Sequence, residues 1–239
     1  MIERHFRMLR ARDELGEAEE QAIRASVEQI VDLPAKRVFI RRGEELNHSC
    51  LMLDGLAGRF KDLRNGERQI TELHVPGDFA DLHSFTLKRL DHNIVTFVPT
   101  RIALIPHDKL REITERFPHL TRIYWFSTNL DAAVHREWEV SLGRRNAIAR
   151  TANLFCELFM RLEIVGLTEG RGYRLDLTQT DLAECLGLTA VHVNRTLKEL
   201  RERGLVEFRA GRVEIIDFDG LKKIAEFDPA YLYLERRPR

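Results

Sequence analysis

A stripe of polar side chains near the C-terminus is the strongest chemical signal in this sequence. His192, Asn194, Arg195 and Lys198 share one side of a predicted helix within residues 178–203, TQTDLAECLGLTAVHVNRTLKELRER. Guanidinium and amide groups make paired hydrogen bonds to base edges, and cationic side chains contact phosphates. The stripe therefore predicts a recognition helix that lies in the major groove of DNA.

Two short helices must position this stripe. Ala183 lets the second helix approach closely, and Gly187 takes the left-handed turn conformation that a side chain disfavours. Val193 anchors the second helix inward, and Leu197 and Leu200 continue its apolar side. This spacing is typical of a helix-turn-helix, with a purely structural helical hairpin as the alternative.

Both helices also carry start signals. Thr178 precedes Asp181 by three residues in a capping-box-like arrangement, and Thr189 can cap the second helix. The agreement of spacing and caps favours the helix-turn-helix over the structural hairpin.

Overall charge is uninformative about nucleic acid. The 239 residues include 38 Lys and Arg and 38 Asp and Glu, so the formal net charge is zero. DNA affinity would depend on locally placed cations and would fall with salt. The candidate cations are Arg144, Arg145, Arg195, Lys198, Arg201 and Arg212.

The composition predicts a cytoplasmic protein with two modest domains. No apolar run has the length of a membrane span, and the N-terminal segment MIERHFRMLRARDELGE is charged throughout. The three cysteines, Cys50, Cys156 and Cys185, are odd in number and far apart, which argues against a disulfide framework and gives a structural zinc site little support. We expect no membrane partner.

The N-terminal half reads as a helix followed by a β-roll. Residues 13–31 favour a helix whose buried side includes Leu15, Ala22, Val27 and Ile30. Asp54-Gly55 and Asn65-Gly66 are two-residue hairpin signals, and residues 76–78 (PGD) mark another turn. Four short runs between these turns resemble strands: residues 38–40, 51–53, 69–75 and 94–98. Many short strands with regular turns indicate an antiparallel sandwich or jelly roll.

A long helical region follows the strands. Residues 107–116 form one candidate helix, which is broken near Pro118. Beyond it, residues recur at alternating spacings of three and four: Leu120, Ile123, Ser127, Leu130, Val134, Glu137 and Ser141. This seam predicts a dimerisation helix whose interface comprises the first five of these residues, with a core helix of a monomer as the alternative. Trp125, Phe126 and Trp138 lie off the seam and are expected to pack on the sheet.

The C-terminal part completes a winged helix-turn-helix. Near Gly143 the long helix should end or hinge, and residues 146–165 form an amphipathic helix. After the helix-turn-helix, two alternating runs flank Ala210-Gly211 and predict a β-hairpin wing, followed by a helix over residues 218–227. The predicted fold is α+β, with a β-roll domain over residues 1–116, a dimerisation helix over 117–142 and a DNA-binding domain over 143–239.

The order of these elements, the segment LTQTDLAECLGLTAVHVNRTLKELRERGLVE and the shorter PGDF at residues 76–79 resemble the Crp/Fnr family of bacterial transcription regulators. The resemblance implies a cyclic-nucleotide-binding-like jelly roll as a sensor and a homodimer that binds a pseudo-palindromic DNA site. It also implies RNA polymerase as a partner, and a regulator rather than an enzyme.

Carried over residue by residue, the resemblance places base contacts at Ala190, Val191, Asn194 and Arg195. Arg195 matches the family arginine that reads guanine, with a phosphate contact as the alternative. Many relatives have glutamate where this chain has Val191, which can touch a thymine methyl group but cannot accept a hydrogen bond. Asn194 can pair with adenine or contact phosphate or water.

Four further residues are predicted to contact the DNA backbone. They are Thr178, Thr189, His192 and Lys198.

The sensor half departs from the cyclic-nucleotide binders of the family. Their Gly-Glu pair after PGDF corresponds to Asp81 and Leu82, and their phosphate-binding arginine falls near Asp91. A carboxylate there would repel a cyclic phosphate, although Lys88 and Arg89 could replace the arginine after a loop shift. The resemblance thus disfavours cyclic AMP and leaves the effector unknown. The candidate effector pocket comprises Asp81, Leu82, His83, Lys88, Arg89, Asp91 and His92.

An iron–sulfur cluster is disfavoured as well. The oxygen-sensing branch of the family that this chain resembles binds its cluster through an N-terminal group of cysteines; the first cysteine here is Cys50, so the resemblance does not extend to that cluster.

A metal-dependent jelly-roll enzyme with a helical appendage is the alternative function. His74, His83 and His92 lie in or near the roll, but their spacing does not match the His-x-His of a cupin. Solvated or core histidines explain them better, and no nucleophile–base pair or phosphate-binding glycine loop occurs elsewhere. We therefore predict no catalytic residues and no bound metal.

Overall fold

The computed structural model describes residues 2–238 of the chain. Met1 and Arg239, the outer limits of the predicted first and last domains, lie outside the described residues. The chain forms two compact units. The first contains the chain up to Lys61, residues Leu73–Ala133 and the chain from Tyr233 onward; the second contains Asp62–Glu72 and Val134–Leu232. The predicted boundaries after residues 116 and 142 remain predictions.

The β-roll consists of two antiparallel sheets. One has the order β1-β7-β3 and the other the order β2-β6-β4-β5. Their strands are β1 Gln29–Leu33, β2 Val38–Ile40, β3 His48–Asp54, β4 Ala57–Asp62, β5 Arg68–His74, β6 Asn93–Thr96 and β7 Thr100–Pro106. The predicted antiparallel β architecture is confirmed. Three of its strands, β1, β4 and β7, lie outside the four predicted runs.

One of the two predicted hairpin turns is wrong. Asp54-Gly55 joins β3 to β4, and these strands lie in different sheets. Gly55 has φ +92°, and a Cβ there would approach Thr100 Cα to 2.8 Å. The glycine is therefore required by a tight crossing between sheets. Asn65-Gly66 does connect neighbouring strands, β4 and β5, through a loop closed by a hydrogen bond from Leu63 N to Glu67 O of 2.7 Å.

The N-terminal helical prediction is partly wrong. The helices of this region are α1 Glu3–Arg10, which was not predicted, and α2 Glu17–Ser26. Helix α2 ends before Val27, whose backbone is extended, and Ile30 lies in β1 opposite Ala103 of β7. Both side chains are half-buried and pack against the apolar core, so their packing was predicted correctly and their secondary structure was not.

Two further helices lie between α2 and the long helix. They are α3 Ser84–Leu87 and α4 His107–Arg116, and the second has the predicted bounds. Helix α5 then spans Pro118–Arg144. Pro118 begins this helix because a first-turn residue needs no backbone N–H.

The side of α5 predicted for dimerisation faces the monomer's own core at several positions. Leu120 and Ile123 are 0% and 2% exposed and belong to the apolar cluster of the first unit. Val134 is also buried, whereas Ser127 and Leu130 are half-buried. Leu120, Ile123 and Val134 therefore present no surface to a partner, because the apolar stripe is used within one chain.

The three aromatic residues of α5 differ from each other. Trp125 was expected to pack on the sheet but is 69% exposed. Phe126 is half-buried with its ring centroid 5.9 Å from that of Tyr233. Trp138 is buried in the second unit, where its indole donates to Glu157 of the next helix. The expectation of packing on the sheet is thus wrong for Trp125 and for Trp138.

The second unit combines helices with a small antiparallel sheet of order β10-β11-β9-β8. Its elements after α5 are α6 Ala147–Ile164, β8 Thr168–Glu169, β9 Gly172–Arg174, α7 Gln179–Leu186, α8 Ala190–Glu202, β10 Val206–Arg209, β11 Arg212–Ile215, α9 Phe218–Ala225 and a 3-10 helix Pro229–Leu232. Ala210 and Gly211 both have positive φ, as the predicted two-residue wing turn requires. The last α-helix ends at Ala225, two residues earlier than predicted.

The overall class is α+β, with a β domain, a long helix and a helix-turn-helix with its wing. No helix among residues 2–238 is both long and apolar enough to cross a membrane.

Candidate nucleic-acid interface

Helix α7 begins with the predicted capping box. Thr178 Oγ1 accepts a hydrogen bond from Asp181 N at 3.1 Å, and Asp181 Oδ2 accepts from Thr178 N at 2.9 Å. Two of the amide groups that every helix start leaves without a partner are thereby satisfied.

The turn between α7 and α8 is also as predicted. Gly187 ends α7 with φ 60° and ψ 42°, the left-handed conformation. Thr189 then caps α8 by accepting a hydrogen bond from His192 N at 3.2 Å. The two helices of the helix-turn-helix are therefore fixed by the chemistry of three residues.

The inner side of α8 differs from the prediction at one position. Val193 and Leu200 are fully buried, but Leu197 is only half-buried. Thr196 is buried instead, and its hydroxyl donates to His192 O at 2.9 Å, which satisfies the polar group locally.

The outer side of α8 presents the predicted stripe. Val191 is 72% exposed, and His192, Asn194, Arg195 and Lys198 are exposed as well. Within residues 2–238 the Arg195 side chain makes no hydrogen bond or ion pair, whereas Lys198 lies 3.7 Å from Glu202. Asn194 Nδ2 donates to Gln179 Oε1 of α7 at 3.4 Å. The guanidinium best suited to read a base is thus available to a ligand.

The remaining predicted contacts surround this stripe. Ala190 is half-buried at the start of α8, and Thr178 and Thr189 are exposed at the two helix starts. The eight predicted DNA contacts therefore lie on α8 or at the N-terminal ends of the two helices.

Some of the candidate cations are already paired within the protein. Arg145 contacts Glu137 at 2.6 Å, and Arg212 contacts Glu169 at 3.1 Å and Glu214 at 3.4 Å. Arg144 and Arg201 are exposed. The six candidate cations are therefore not all available to DNA. The unpaired guanidinium of Arg195 on α8 is the most available of them within residues 2–238.

The predicted effector residues differ from those of the nucleic-acid interface in one respect. Most of their polar groups already have partners within the roll. Asp81 is fully buried and accepts a hydrogen bond from Cys50 N at 2.6 Å. Leu82 is buried in the apolar cluster. Burial raises the pKa of Asp81 to about 7, against the opposing effect of its hydrogen bonds.

His83, Asp91 and His92 come together. The ring centroids of His83 and His92 are 5.4 Å apart, and His92 Nδ1 lies 2.9 Å from Asp91 Oδ1. Burial lowers the pKa of His92 to about 4. Hydrogen bonds from Lys61 and His92 hold the pKa of Asp91 below its usual range.

Lys88 and Arg89 were the candidate replacements for the phosphate-binding arginine of the family, but each contacts another side chain of the roll. Lys88 Nζ lies 5.0 Å from the centroid of the Phe85 ring, and Arg89 contacts Glu45 at 2.9 Å.

A largely buried ion pair joins the roll to α5 and was not predicted from the sequence. Arg59 is nearly fully buried, contacts Asp131 at 3.2 Å and donates to Ala80 O at 3.0 Å. His83 Nδ1 lies 3.9 Å from the same Asp131. An arginine inside the apolar run LAGRF is the sequence signal that could have revealed this pair.

Comparisons with known proteins match both units. The family described as "Crp-like helix-turn-helix domain" matches residues 149–224, and the family described as "Cyclic nucleotide-binding domain" matches residues 30–117. The Anaerobic regulatory protein of Haemophilus influenzae is 24% identical over 87% of this chain and 80% of its own length. The Transcriptional activator protein FnrL of Cereibacter sphaeroides is 25% identical over 89% of this chain and 86% of its own length.

A solved structure shares the fold. FixK2 from Bradyrhizobium japonicum superposes with a TM-score of 0.75 at 21% identity, covering 82% of this chain and 96% of that chain.

The roll, the long helix and the exposed recognition face define a winged helix-turn-helix DNA-binding regulator. The chain belongs to the Crp/Fnr family of transcription regulators, with a cyclic-nucleotide-binding domain and a Crp-type helix-turn-helix domain. This membership decides against the alternative of a metal-dependent jelly-roll enzyme, since the family consists of regulators. Within the described residues, His74, His83 and His92 do not meet as one group of three ligands.

The residues of this roll do not fit the ligand that the domain is named for. Asp91, at the position matched to the phosphate-binding arginine, is a carboxylate whose lowered pKa keeps it anionic. Asp81 is directed at Cys50 N within the core. No step of the function is therefore derived through a cyclic nucleotide.

The cysteines do not fit an iron–sulfur cluster either. Cys50, Cys156 and Cys185 are all buried. Burial raises the pKa of Cys156 to about 12 and that of Cys50 well above its usual value. Cluster ligation requires thiolates, which these surroundings disfavour.

Proposed function

We propose that this regulator reads a pseudo-palindromic DNA site as a homodimer, with one α8 helix in each of two successive major grooves. The observation that carries the proposal is the exposed Arg195, which has no partner among residues 2–238, on a helix whose start is capped and whose inner side is buried. Arg195 would pair with guanine O6 and N7, and Val191 would touch a thymine methyl group.

Further contacts complete the proposed interface. Ala190 and Asn194 would face bases, and the hydrogen bond to Gln179 would limit the orientations of the Asn194 amide. Thr178, Thr189, His192 and Lys198 would contact the backbone and fix the register.

The exposed side of α5 supports a dimer interface different from the predicted seam. Six exposed residues recur at spacings of three and four: Arg122, Trp125, Asn129, Ala132, Arg136 and Val140. Because Trp125 and Val140 are large apolar side chains on this side, pairing with a second copy would remove them from water. Ser127 and Leu130 of the predicted interface would lie at its edge.

The compartment and the further partner follow from DNA binding. A bacterial regulator of this family acts on the chromosome in the cytoplasm, and RNA polymerase is its proposed partner at promoters. The effector of the roll is left unassigned.

Selection of randomised duplex DNA by the purified protein tests the proposal. We expect a two-fold symmetric motif to be enriched, and Arg195→Ala to lower affinity by about 1–3 kcal/mol while relaxing one base position per half-site. Arg101→Ala, an exposed arginine paired with Asp32 in the roll, is the matched control and should change neither. An Arg195→Ala protein with unchanged affinity and motif would contradict the assignment of α8.

Sedimentation at micromolar concentration tests the dimer. Trp125→Glu should give monomers because it places a charge on the proposed interface. Leu87→Glu alters an exposed apolar residue of the roll and should leave the dimer intact. A dimer that survives Trp125→Glu would exclude this side of α5.

A further inference from the structure

The last turn of α7 is held by side chains from outside the helix-turn-helix. Gln69 Nε2 donates to Glu184 O at 2.8 Å and to Cys185 O at 3.3 Å. Arg150 of α6 donates through Nη1 to Leu186 O. The carbonyl groups at a helix end have no partner within the helix, so these bonds fix that end in place.

The same arginine also holds the C-terminal end of α5. Arg150 Nε donates to Ser141 O at 3.2 Å, and Nη2 donates to Leu142 O at 2.9 Å and to Arg145 O at 3.1 Å. The planar guanidinium provides five donors, and its charge is favourable beside the negative ends of two helix dipoles. One side chain therefore caps α5 and α7 together.

The turn residue Gly187 lies where these groups converge. A Cβ on Gly187 would lie 3.3 Å from Leu142 Cδ2, 3.4 Å from Arg150 Nη1 and 3.4 Å from Gln69 Oε1. The N-cap of the recognition helix, Thr189, follows two residues later. All of these residues belong to the second compact unit, which includes the hairpin segment Asp62–Glu72.

We infer that Arg150 and Gln69 are positioning residues for DNA recognition, which hold the end of α7, and with it α8, at one place against the end of α5. This inference rests on the proposed function. If α5 joins two copies, the place of α8 relative to α5 sets the distance between the two recognition helices. Arg150 and Gln69 then determine the spacing of the half-sites that the dimer accepts.

The consequence is measurable apart from affinity for a half-site. Neither residue lies on the exposed side of α8, so their loss should leave the contacts of one α8 with one half-site unchanged. It should instead let the two helices occupy several separations.

The experiment uses duplexes that carry two copies of the selected half-site separated by spacers of different length. The full-length protein should prefer one spacing. We expect Arg150→Ala to reduce the preference for the best spacing over the next one by about tenfold, the equivalent of one lost charge-assisted hydrogen bond. Gln69→Glu, which can no longer donate to the two carbonyl groups, should act in the same direction but less strongly. Affinity for a duplex with a single half-site should change less than about twofold in both variants.

Matched controls and a milder variant keep the test decisive. Arg101→Ala and Gln21→Glu alter exposed residues of the first unit and should retain the wild-type spacing preference. If Arg150→Ala does not fold, Arg150→Lys keeps the charge but cannot reach all four carbonyl groups, and should broaden the spacing to a smaller extent.

The outcomes separate the inference from the proposed function. A wild-type protein that enriches no symmetric motif overturns the proposed function and this inference with it. A wild-type protein with one preferred spacing, shared by Arg150→Ala and Gln69→Glu, overturns the inference alone. Equal losses for single and paired half-sites, together with a lower melting temperature, would show a purely structural role and would also overturn it.

Discussion

Glu157 in the second unit and Asp81 in the first are both fully buried carboxylates, but they are stabilised in different ways. Glu157 contacts Arg161 at 2.9 Å and accepts hydrogen bonds from Trp138 Nε1 at 3.1 Å and Tyr231 Oη at 2.9 Å. Asp81 accepts from Cys50 N, and within the described chain its Oδ2 has no hydrogen-bond partner. Burial raises the pKa of Asp81, although its hydrogen bonds and the nearby charge of Arg59 act in the opposite direction.

The same contrast extends to the polar groups near each predicted site. On α8, Arg195 has no partner among the described residues and can bind a ligand. In the roll, Asp91 contacts Lys61 and His92, Arg89 contacts Glu45, and Arg59 contacts Asp131. These charged groups of the roll already have partners within the first unit, whereas the guanidinium of Arg195 is available to a ligand.

The largest expected effect is that of Glu157→Ala. Removal of this carboxylate breaks its ion pair with the buried Arg161 and removes the acceptor of Trp138 and Tyr231, so the second unit should lose about 3–5 kcal/mol of unfolding free energy. Urea unfolding followed by Trp138 fluorescence, in a Trp125→Phe background, measures it. Glu163→Ala alters an exposed carboxylate of the same helix and should change the free energy by less than about 0.5 kcal/mol. If Glu157→Ala and Glu163→Ala lost equal amounts of unfolding free energy, the hydrogen bonds and ion pair of Glu157 would not stabilise the second unit.

The next effect depends on pH. Because the pKa of Asp81 is raised to about 7 from 3.8, the folded state binds more protons than the unfolded state between these values. Its contribution to stability is therefore present at low pH and lost as pH rises towards 7, and Asp81→Asn removes this dependence. We expect the variant to gain up to a few kcal/mol relative to the wild type as pH rises from 4 to 7.

Thermal unfolding of both proteins across this range checks the prediction. His5, His92 and His107, whose pKa values are lowered, titrate in both proteins and cancel in the difference. Asp32→Asn is the control, since the Arg101 hydrogen bond lowers the pKa of Asp32 and reverses the slope. A difference between wild type and Asp81→Asn that does not vary with pH would show that Asp81 does not titrate in this window.

The sequence predicted the second unit better than the first for a physical reason. The helix-turn-helix is encoded by local chemistry, in which Thr178, Gly187 and Thr189 each act on residues within a few positions. The roll depends on pairing between distant strands. Asp54-Gly55 has the composition of a hairpin turn, but its strands pair with other partners, and no short-range signal distinguishes the two cases.

Long-range contacts also explain what was missed at the sites. Periodicity correctly identified an apolar stripe on α5 but could not show whether Leu120 would face a second copy or the core of its own chain. Arg150 and Gln69 are unremarkable in sequence, because their role arises from carbonyl groups up to 116 positions away. The recognition stripe was predictable because exposure on a short helix follows from its own spacing.

A smaller effect tests base reading by the second unit. Val191→Glu introduces a carboxylate that can accept a hydrogen bond from cytosine N4, so it should shift the selected base at one position of each half-site towards a C·G pair. The expected discrimination is about 1–3 kcal/mol per half-site. Competition between two duplexes that differ only at this position measures it. Leu87→Glu, which changes an exposed leucine of the roll, should leave the base preference unaltered, and a shift in both variants would mean that Val191 does not face the base.

The smallest effect compares helix starts in the two units. Thr178→Ala removes the side-chain cap of α7 and should cost about 1 kcal/mol of unfolding free energy in the second unit. Helix α2 of the first unit has Gly16 at the same position, so it has no side-chain acceptor there; the Gly16 N–H donates to Glu19 Oε2 at 2.9 Å, and the Gly16 carbonyl oxygen accepts from Glu19 N at 3.1 Å. Gly16→Ser adds the missing acceptor, and the serine Cβ would be 3.5 Å from Glu19 Oε2, an ordinary contact. It should therefore stabilise the first unit by a few tenths of a kcal/mol.

Urea unfolding of each variant measures both changes, and Thr178→Ser should behave as the wild type because it retains the hydroxyl. If Thr178→Ala left stability unchanged and lowered only DNA affinity, the hydroxyl would act as a backbone contact and not as a cap.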